Sequence, residues 1–181
     1  MKKVVKFGGS SLASAEQFQK VGRIIRADAG RRFVVPSAPG KRYDKDIKVT
    51  DMLYSCYALA EVGKDFKKEL AQIERRYKEI IEGLGLNLSL TEEFQTIAEK
   101  FKKNEGRDYA ASRGEYLNGL VMAEYLGYEF IDAAEVIFFH ENGSFDAEKT
   151  ERVLAERLEG KEHAVIPGFY GAKEDGTVTT F

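Results

Sequence analysis

The sequence KFGGSS, which begins at Lys6, has the residue types of an anion-binding turn. Its first two residues end the short apolar run 4–7, and a helical pattern comes after it, so it is predicted to lie at the end of a strand. Gly8 and Gly9 would let the backbone approach a ligand, and N–H groups up to Ser10 could hold phosphate oxygens. Lys6 would add positive charge where phosphoryl transfer needs it. The alternative is a plain glycine turn with a solvated lysine.

A second candidate is the sequence SRGE at residues 112–115. The spacing S-x-x-E favours a capping box, in which Glu115 accepts a hydrogen bond from the backbone N–H of Ser112 at the start of a helix. In the alternative, Glu115 is a carboxylate partner for the ammonium group of a substrate.

The third candidate is PGFYG at residues 167–171, followed by GTVTT at residues 176–180. A strand that ends in Gly-aromatic-x-Gly exposes backbone at the carboxyl edge of a sheet, where α/β proteins bind ligands. Threonine hydroxyls could donate to ligand oxygens there. The alternative is a turn followed by a β-strand, because threonine favours strands.

Cysteine and histidine chemistry is not indicated. Cys56 is the only cysteine, which excludes an intramolecular disulfide and a zinc site that needs two or more cysteines. Its apolar helical surroundings indicate a buried small residue rather than a nucleophile. His140 and His163 stand alone, without the spacing of metal ligands.

The composition is that of an ordinary globular protein, with 43% apolar residues, 32% charged residues and a formal net charge of −2. No basic excess favours nucleic acid or an anionic membrane, so neither is expected as a partner. No apolar run approaches the ~20 residues of a membrane span, and the N-terminus lacks a signal-peptide pattern. We expect a soluble protein of a reducing compartment.

The elements that must position these motifs alternate between strands and helices, which predicts an α/β layered fold with a largely parallel sheet. Residues 41–48 are polar and mixed in charge, and are predicted to form a mobile loop. The predicted helices cover residues 14–28, 50–61, 66–84, 91–103, 112–126 and 146–158. The predicted strands cover residues 4–7, 33–35, 129–131, 136–139, 164–166 and 177–181.

Taken in order, the motifs resemble the aspartate kinases of the amino-acid kinase family. The resemblance spans essentially the whole chain and is carried by KFGGSSL, VVPSAPG, SRGE and PGFYG with GTVTT. KFGG alone fits several amino-acid kinases, whereas its combination with SRGE and the closing segment is more specific. Pro36 departs from the commoner apolar residue at its position. The implied fold is a three-layer α/β/α amino-acid kinase (carbamate kinase-like) fold.

The resemblance implies ATP-dependent phosphorylation of the L-aspartate side-chain carboxylate, the first step towards lysine, threonine and methionine. Lys6 would be the catalytic residue that neutralises the transferring phosphoryl group, and Gly8, Gly9 and Ser10 would cradle ATP phosphates. Mg²⁺ would arrive with ATP and bridge its phosphates, with no metal ligand from this chain. The aspartate-binding residues implied by the resemblance are Ser37, Thr50, Glu115 and Phe169.

The resemblance also implies a domain assignment, because the family continues beyond this point into a Gly-Arg-Gly-Gly-Ser-Asp segment. We expect residues 1–181 to form the aspartate-side lobe, with the nucleotide-binding half and the ACT regulatory domains outside the chain. The lobe alone is expected to be inactive, and the full-length protein is expected to be a cytoplasmic homo-oligomer. Two other hypotheses remain: a non-catalytic binding lobe, and a kinase for another amino acid such as glutamate or acetylglutamate, against which SRGE argues.

Overall fold

Four parallel strands form the central sheet in the computed structural model, which describes residues 1–181. Their spatial order is β1-β2-β4-β3, and every neighbouring pair is parallel. The predicted α/β fold with a parallel sheet is therefore confirmed. The strand bounds are β1 Lys3–Phe7, β2 Arg31–Pro36, β3 Glu129–Phe130 and β4 Ala164–Val165.

All six predicted helices are present. Two begin as predicted from their N-cap residues: Ser14 accepts a hydrogen bond from the Gln17 N–H at 3.3 Å, and Asp146 accepts one from the Lys149 N–H at 3.0 Å. No helix combines the length and the apolar character that crossing a bilayer requires. The helix bounds are α1 Ala15–Arg26, α2 Val49–Glu61, α3 Lys67–Gly83, α4 Thr91–Lys102, α5 Arg107–Leu126 and α6 Ala147–Leu158.

Alternating side chains of the sheet divide the core into two parts, as expected for strands. Val34 and Val165 belong to the larger core, which they share with α1 to α5. Phe33, Ala164 and Ile166 belong to the smaller core on the other face, against which α6 packs. The molecule therefore has the three-layer α/β/α arrangement.

One predicted strand, at residues 136–139, is wrong, whereas the predicted C-terminal strand is present but lies outside the central sheet. Residues 136–139 do not form a strand. The carbonyl of Ala133 accepts from the N–H groups of Val136 and Ile137 and closes the 3-10 turn Ala133–Glu135, while Phe138 and Phe139 make only isolated β-bridges, to Ala172 and Phe145. The C-terminal strand is β6 Val178–Thr180, and it pairs antiparallel with β5 Tyr170–Ala172 in a separate two-stranded sheet.

Helix α5 lies at the centre of the fold and is buried on nearly every side. Its close contact with the sheet depends on Gly119, because a Cβ atom there would lie 2.8 Å from Pro167 Cγ and 2.9 Å from Phe130 Cε2. Neither neighbour is the free end of a flexible side chain. A side chain at this position would therefore push α5 away from the sheet edge.

We predict that Gly119→Ala lowers the free energy of unfolding by about 1 kcal/mol, and by no more than about 2 kcal/mol. Overpacking typically costs ~1–3 kcal/mol, and the better helix propensity of alanine offsets about 1 kcal/mol of it. Urea titration followed by circular dichroism measures the change. Ser55→Ala, at an exposed position of α2, is the control and should be close to neutral. A Gly119→Ala variant as stable as the original chain would contradict the tight contact.

Candidate active site

The carboxyl ends of β1, β2 and β4 meet at one edge of the sheet. Phe7 is in register with Pro36, and the carbonyl of Phe7 accepts from the Ser37 N–H at 3.0 Å. The carbonyl of Pro36 in turn accepts from the Gly168 N–H at 3.1 Å. The glycine turn after β1, the turn after β2 and the segment before Phe169 therefore share this edge, as ligand sites in parallel sheets do.

The two glycines of the first turn have different surroundings. A Cβ at Gly9 would meet the Ala38 carbonyl oxygen at 2.9 Å, and one at Gly40 would meet the carbonyl carbon of Gly9 at 2.6 Å. The backbones of Gly9 and Gly40 are joined by a hydrogen bond from the Gly40 N–H to the Gly9 carbonyl at 2.8 Å. Nothing lies within 4 Å of a Cβ at Gly8, which is exposed. Gly9 thus permits close chain packing, while the backbone at Gly8 stays open.

A pocket of about 440 Å³ opens at this edge. It brings together five residues singled out from the sequence, from four separate segments of the chain: Gly9, Ser10, Ser37, Thr50 and Glu115. The exposed Lys41 and Lys48 also line it. Lys6, Gly8 and Phe169 lie at the same edge but do not line this pocket.

Glu115 is the only acidic residue of the pocket, and the residue is buried, with a relative exposure of 6%. Oε1 accepts a hydrogen bond from the Ala38 N–H at 3.2 Å, and Oε2 has no hydrogen-bond partner. Burial raises the pKa of this carboxyl to about 7, while the Ala38 N–H and the positive charge of Lys6 act in the opposite direction. The carboxylate therefore has one buried oxygen, Oε2, whose hydrogen-bonding capacity is not satisfied.

The predicted capping box at residues 112–115 is wrong. Helix α5 begins earlier, at Arg107, so Ser112 lies inside the helix and is fully buried. The Ser112 hydroxyl donates to the carbonyl of Tyr109 at 2.6 Å instead of capping. Because Glu115 turns towards Ala38 on another segment, its carboxylate belongs to the pocket and not to a helix end.

Asn118 is a residue of the site that the sequence did not suggest. It is fully buried, its Nδ2 donates to the Ser37 carbonyl at 2.7 Å, and its Oδ1 has no partner. Asn118 is three residues after Glu115, on the same face of α5, and this spacing is the signal that could have revealed it. It ties the wall of the pocket to the helix.

Phe169 has a backbone conformation that non-glycine residues rarely adopt, with φ of +78°. Its carbonyl accepts from the Phe181 N–H at 3.0 Å, which holds the residue beside the end of β6. Backbone strain of this kind concentrates at ligand sites. It therefore supports a role for Phe169 at the edge, although Phe169 is not part of the pocket wall.

The glycine turn and the polar pocket both lie at the carboxyl edge of a parallel sheet. These features define the class of the protein as an α/β ligand-binding domain. The match to known families agrees with that class. Residues 1–181 match the amino acid kinase family, and the chain therefore belongs to it.

The relatives that the chain resembles are aspartate kinases. It is 37% identical to aspartokinase 3 of Bacillus subtilis (strain 168) over an alignment of 198 positions, which covers 99% of the chain and 42% of the relative. The crystal structure of Clostridium acetobutylicum aspartate kinase superposes with a TM-score of 0.96 at 48% identity, over 100% of the chain and 42% of that structure. The crystal structure of E. coli aspartokinase III in complex with aspartate and ADP has the same fold. Its TM-score is 0.80 at 24% identity, and the match covers 99% of this chain and 43% of the E. coli chain. The chain thus spans about two fifths of the length of these relatives.

The raised pKa of Glu115 predicts a pH-dependent cost in stability. Between its ordinary value of 4.5 and the folded value of about 7, the folded chain binds more protons than the unfolded chain, so stability falls as pH rises through this window. The full difference corresponds to roughly 3 kcal/mol. Without ligand, Glu115→Gln should therefore be more stable than the original chain at pH 8, by up to this amount, and the difference should shrink at pH 5.

Urea titrations of both chains at the two pH values measure this difference. Glu124→Gln, an exposed position on the same helix, is the matched control, and its effect should be the same at pH 5 and pH 8. If the stability difference between Glu115→Gln and the original chain were the same at pH 5 and pH 8, burial would not raise the pKa of the Glu115 carboxyl.

Proposed function

We propose that this chain forms the aspartate-binding part of an aspartate kinase, which transfers the γ-phosphoryl group of ATP to the side-chain carboxylate of L-aspartate. The observation that carries the proposal is the Glu115 carboxylate, which lines the pocket while one of its oxygens is buried without a partner. A buried carboxylate is costly unless it is paired, and a ligand ammonium group would pair it. The chain is similar to aspartate kinases over at least 99% of its length, which supports aspartate as the ligand.

The charges around Glu115 fit an amino acid with two carboxylates. Lys41 and Lys48 line the same pocket and would attract an anionic ligand, while Glu115 would select an ammonium group. The hydroxyls of Ser37 and Thr50 could donate to ligand oxygens. We propose these two residues and Glu115 as contacts to aspartate, with Phe169 closing the pocket from its place beside it at the same edge of the sheet.

The phosphate side of the reaction would lie at the glycine turn. The open backbone at Gly8, with Gly9 and Ser10 beside it, would hold phosphate oxygens, and Lys6 would neutralise charge on the transferring group. The ATP phosphates would be held by this turn, and Mg²⁺ brought by ATP would supply additional positive charge to them. The residues of this chain would then contribute mainly position and electrostatics.

We also propose that residues 1–181 form the aspartate-side lobe of the kinase, with nucleotide-binding residues supplied by further sequence. The chain matches only 42% of the Bacillus relative, which leaves room for such a part. From the family resemblance we propose a homo-oligomer and a cytoplasmic location for the full-length protein.

Replacing Glu115 tests the aspartate site. In the protein that carries this chain, Glu115→Gln should weaken aspartate binding by roughly 2–5 kcal/mol, because it leaves the ligand cation poorly paired, and it should change ATP affinity little. Aspartate affinity of the original protein should fall as pH drops below the Glu115 pKa, and that dependence should vanish in the variant.

Coupled ADP-release assays with ATP, Mg²⁺ and varied aspartate measure these changes, with Glu124→Gln as the control for an exposed glutamate of α5. The 181-residue chain by itself should show no turnover. Near-normal aspartate affinity in Glu115→Gln would remove this residue from the site, and aspartate binding without any ADP release would favour a non-catalytic lobe.

Replacing Lys6 tests the phosphate site. Lys6→Ala should lower kcat about 10²–10³-fold, the usual loss when one preorganised charge-stabilising group is removed, with a much smaller change in the KM for aspartate. Lys20→Ala, at an exposed position of α1, should behave like the original protein. A Lys6→Ala variant with normal kcat would exclude Lys6 from phosphoryl transfer.

A further inference from the structure

The segment from Gly40 to Lys48, here called the 40–48 loop, connects the turn after β2 to α2 and contains no helix or strand. It carries Lys41 and Lys48 into the candidate pocket, and Thr50 follows it directly. A loop without its own ladder of hydrogen bonds needs other contacts to hold one shape. The residue that supplies them lies on α3, outside the pocket.

Arg76 of α3 is 95% buried, with a relative exposure of 5%. Its Nη2 donates to the Gly40 carbonyl at 2.9 Å, and its Nη1 donates to the Ile47 carbonyl at 2.9 Å. One guanidinium group therefore ties together the two ends of the 40–48 loop. Its donors have a fixed planar geometry, so the two carbonyls are held at a set separation.

Asp46 of the same loop completes the network. It is almost fully buried and accepts three hydrogen bonds from Arg42, at 2.9 Å from the backbone N–H, 2.7 Å from Nε and 3.0 Å from Nη2. These bonds hold the pKa of Asp46 well below its usual range. Asp46 Oδ2 lies 3.7 Å from Arg76 Nη1, so it stays ionised beside the buried cation and offsets its charge.

The loop ends held by Arg76 lie directly against the site. Gly40 donates to the Gly9 carbonyl at 2.8 Å, and no side chain would fit between the two backbones, so the position of Gly40 fixes that of the glycine turn. At the other end, the Val49 N–H donates to the Pro39 carbonyl at 3.1 Å as α2 begins, one residue before Thr50.

We propose that Arg76 is a positioning residue of the site: it holds both ends of the 40–48 loop on α3 and thereby sets Thr50, Lys48 and the glycine turn relative to one another. This role rests on the proposed aspartate kinase function, for which those groups are the ligand contacts. Arg76 itself does not line the candidate pocket. Its loss should change how well the site is arranged more than whether the chain folds, because small misplacements of reacting groups reduce rates strongly.

Limited trypsin digestion of the protein that carries this chain tests the structural step. The loop contains four trypsin sites, at Lys41, Arg42, Lys45 and Lys48. In Arg76→Met, cleavage after these residues, identified by mass spectrometry, should be at least about tenfold faster, since the loop ends are released. Arg75→Met is the matched control: Arg75 is exposed on the same helix, and this variant should be cleaved like the original protein.

Steady-state kinetics on the same variants test the functional step. Arg76→Met should raise the KM for aspartate about tenfold or more, and Arg76→Lys should recover part of this loss, because an ammonium can reach one carbonyl but not span both. If Arg76→Met does not fold, Arg76→Lys provides both measurements, with the same direction of change expected.

Two results would overturn the proposal. The first is a folded Arg76 variant in which both the rate of loop cleavage and the KM for aspartate are the same as in the original protein. The other is parallel acceleration at trypsin sites throughout the chain with an unchanged aspartate KM, which is the behaviour of a residue that only adds global stability. An original protein that shows no aspartate-dependent ADP release contradicts the proposed function instead, so the two failures are distinguishable.

Discussion

Burial of the Glu115 carboxylate places a group in the interior that water would solvate better, and the surrounding structure must hold it there. The Ala38 N–H is its one hydrogen-bond partner, and Oε2 has none. The group therefore remains where it is because α5 cannot rotate or withdraw. A fold that fixes an under-satisfied carboxylate has the binding site for a cation prepared before the ligand arrives.

The rigidity of α5 comes from close packing at positions that lack a side chain. A Cβ at Gly114 would lie 2.8 Å from the Cβ of Ala38. A Cβ at Gly119 would lie 2.8 Å from the Cγ of Pro167, on the segment after β4. Tyr77 of α3 donates to the Gly114 carbonyl at 2.8 Å and holds the helix from its other side. The helix is thus fixed against the turns after two strands, so the position of the carboxylate relative to the sheet edge follows from backbone contacts.

The sequence predicted the elements with clear periodicity and failed where tertiary contacts decide. The amphipathic helices were found because their apolar residues recur on one face. Helix α5 is buried all round and lacks that contrast, so its start at Arg107 was missed and S-x-x-E was interpreted as a cap. The prediction of a strand at residues 136–139 fails because a short apolar run does not distinguish a strand from a segment that makes only isolated β-bridges.

For the site, the motifs identified residues that the fold does bring together, although their roles remain predictions. Ser10, Ser37, Thr50 and Glu115 all line one pocket. Asn118 and Arg76 were missed for a physical reason: each acts through a backbone carbonyl far away in sequence, 81 residues away for Asn118 and 36 for Arg76. Every residue has a backbone carbonyl, so the residue that accepts such a hydrogen bond leaves no pattern in the sequence. Only the fold decides which carbonyl lies within reach.

The amino-acid pocket and the glycine turn share one wall, which under the proposed function would matter for phosphoryl transfer. The segment from Ser37 to Gly40 lines the pocket on one side and packs on Gly9 on the other. A shift of this segment would move the amino-acid pocket and the glycine turn together. Phosphoryl transfer depends on the alignment of donor and acceptor oxygens, so a shared rigid wall would preserve their relative position even when the edge moves as a whole. Contacts that fix the wall, such as the bond from Arg76 to the Gly40 carbonyl, would then act on both substrates through one backbone segment.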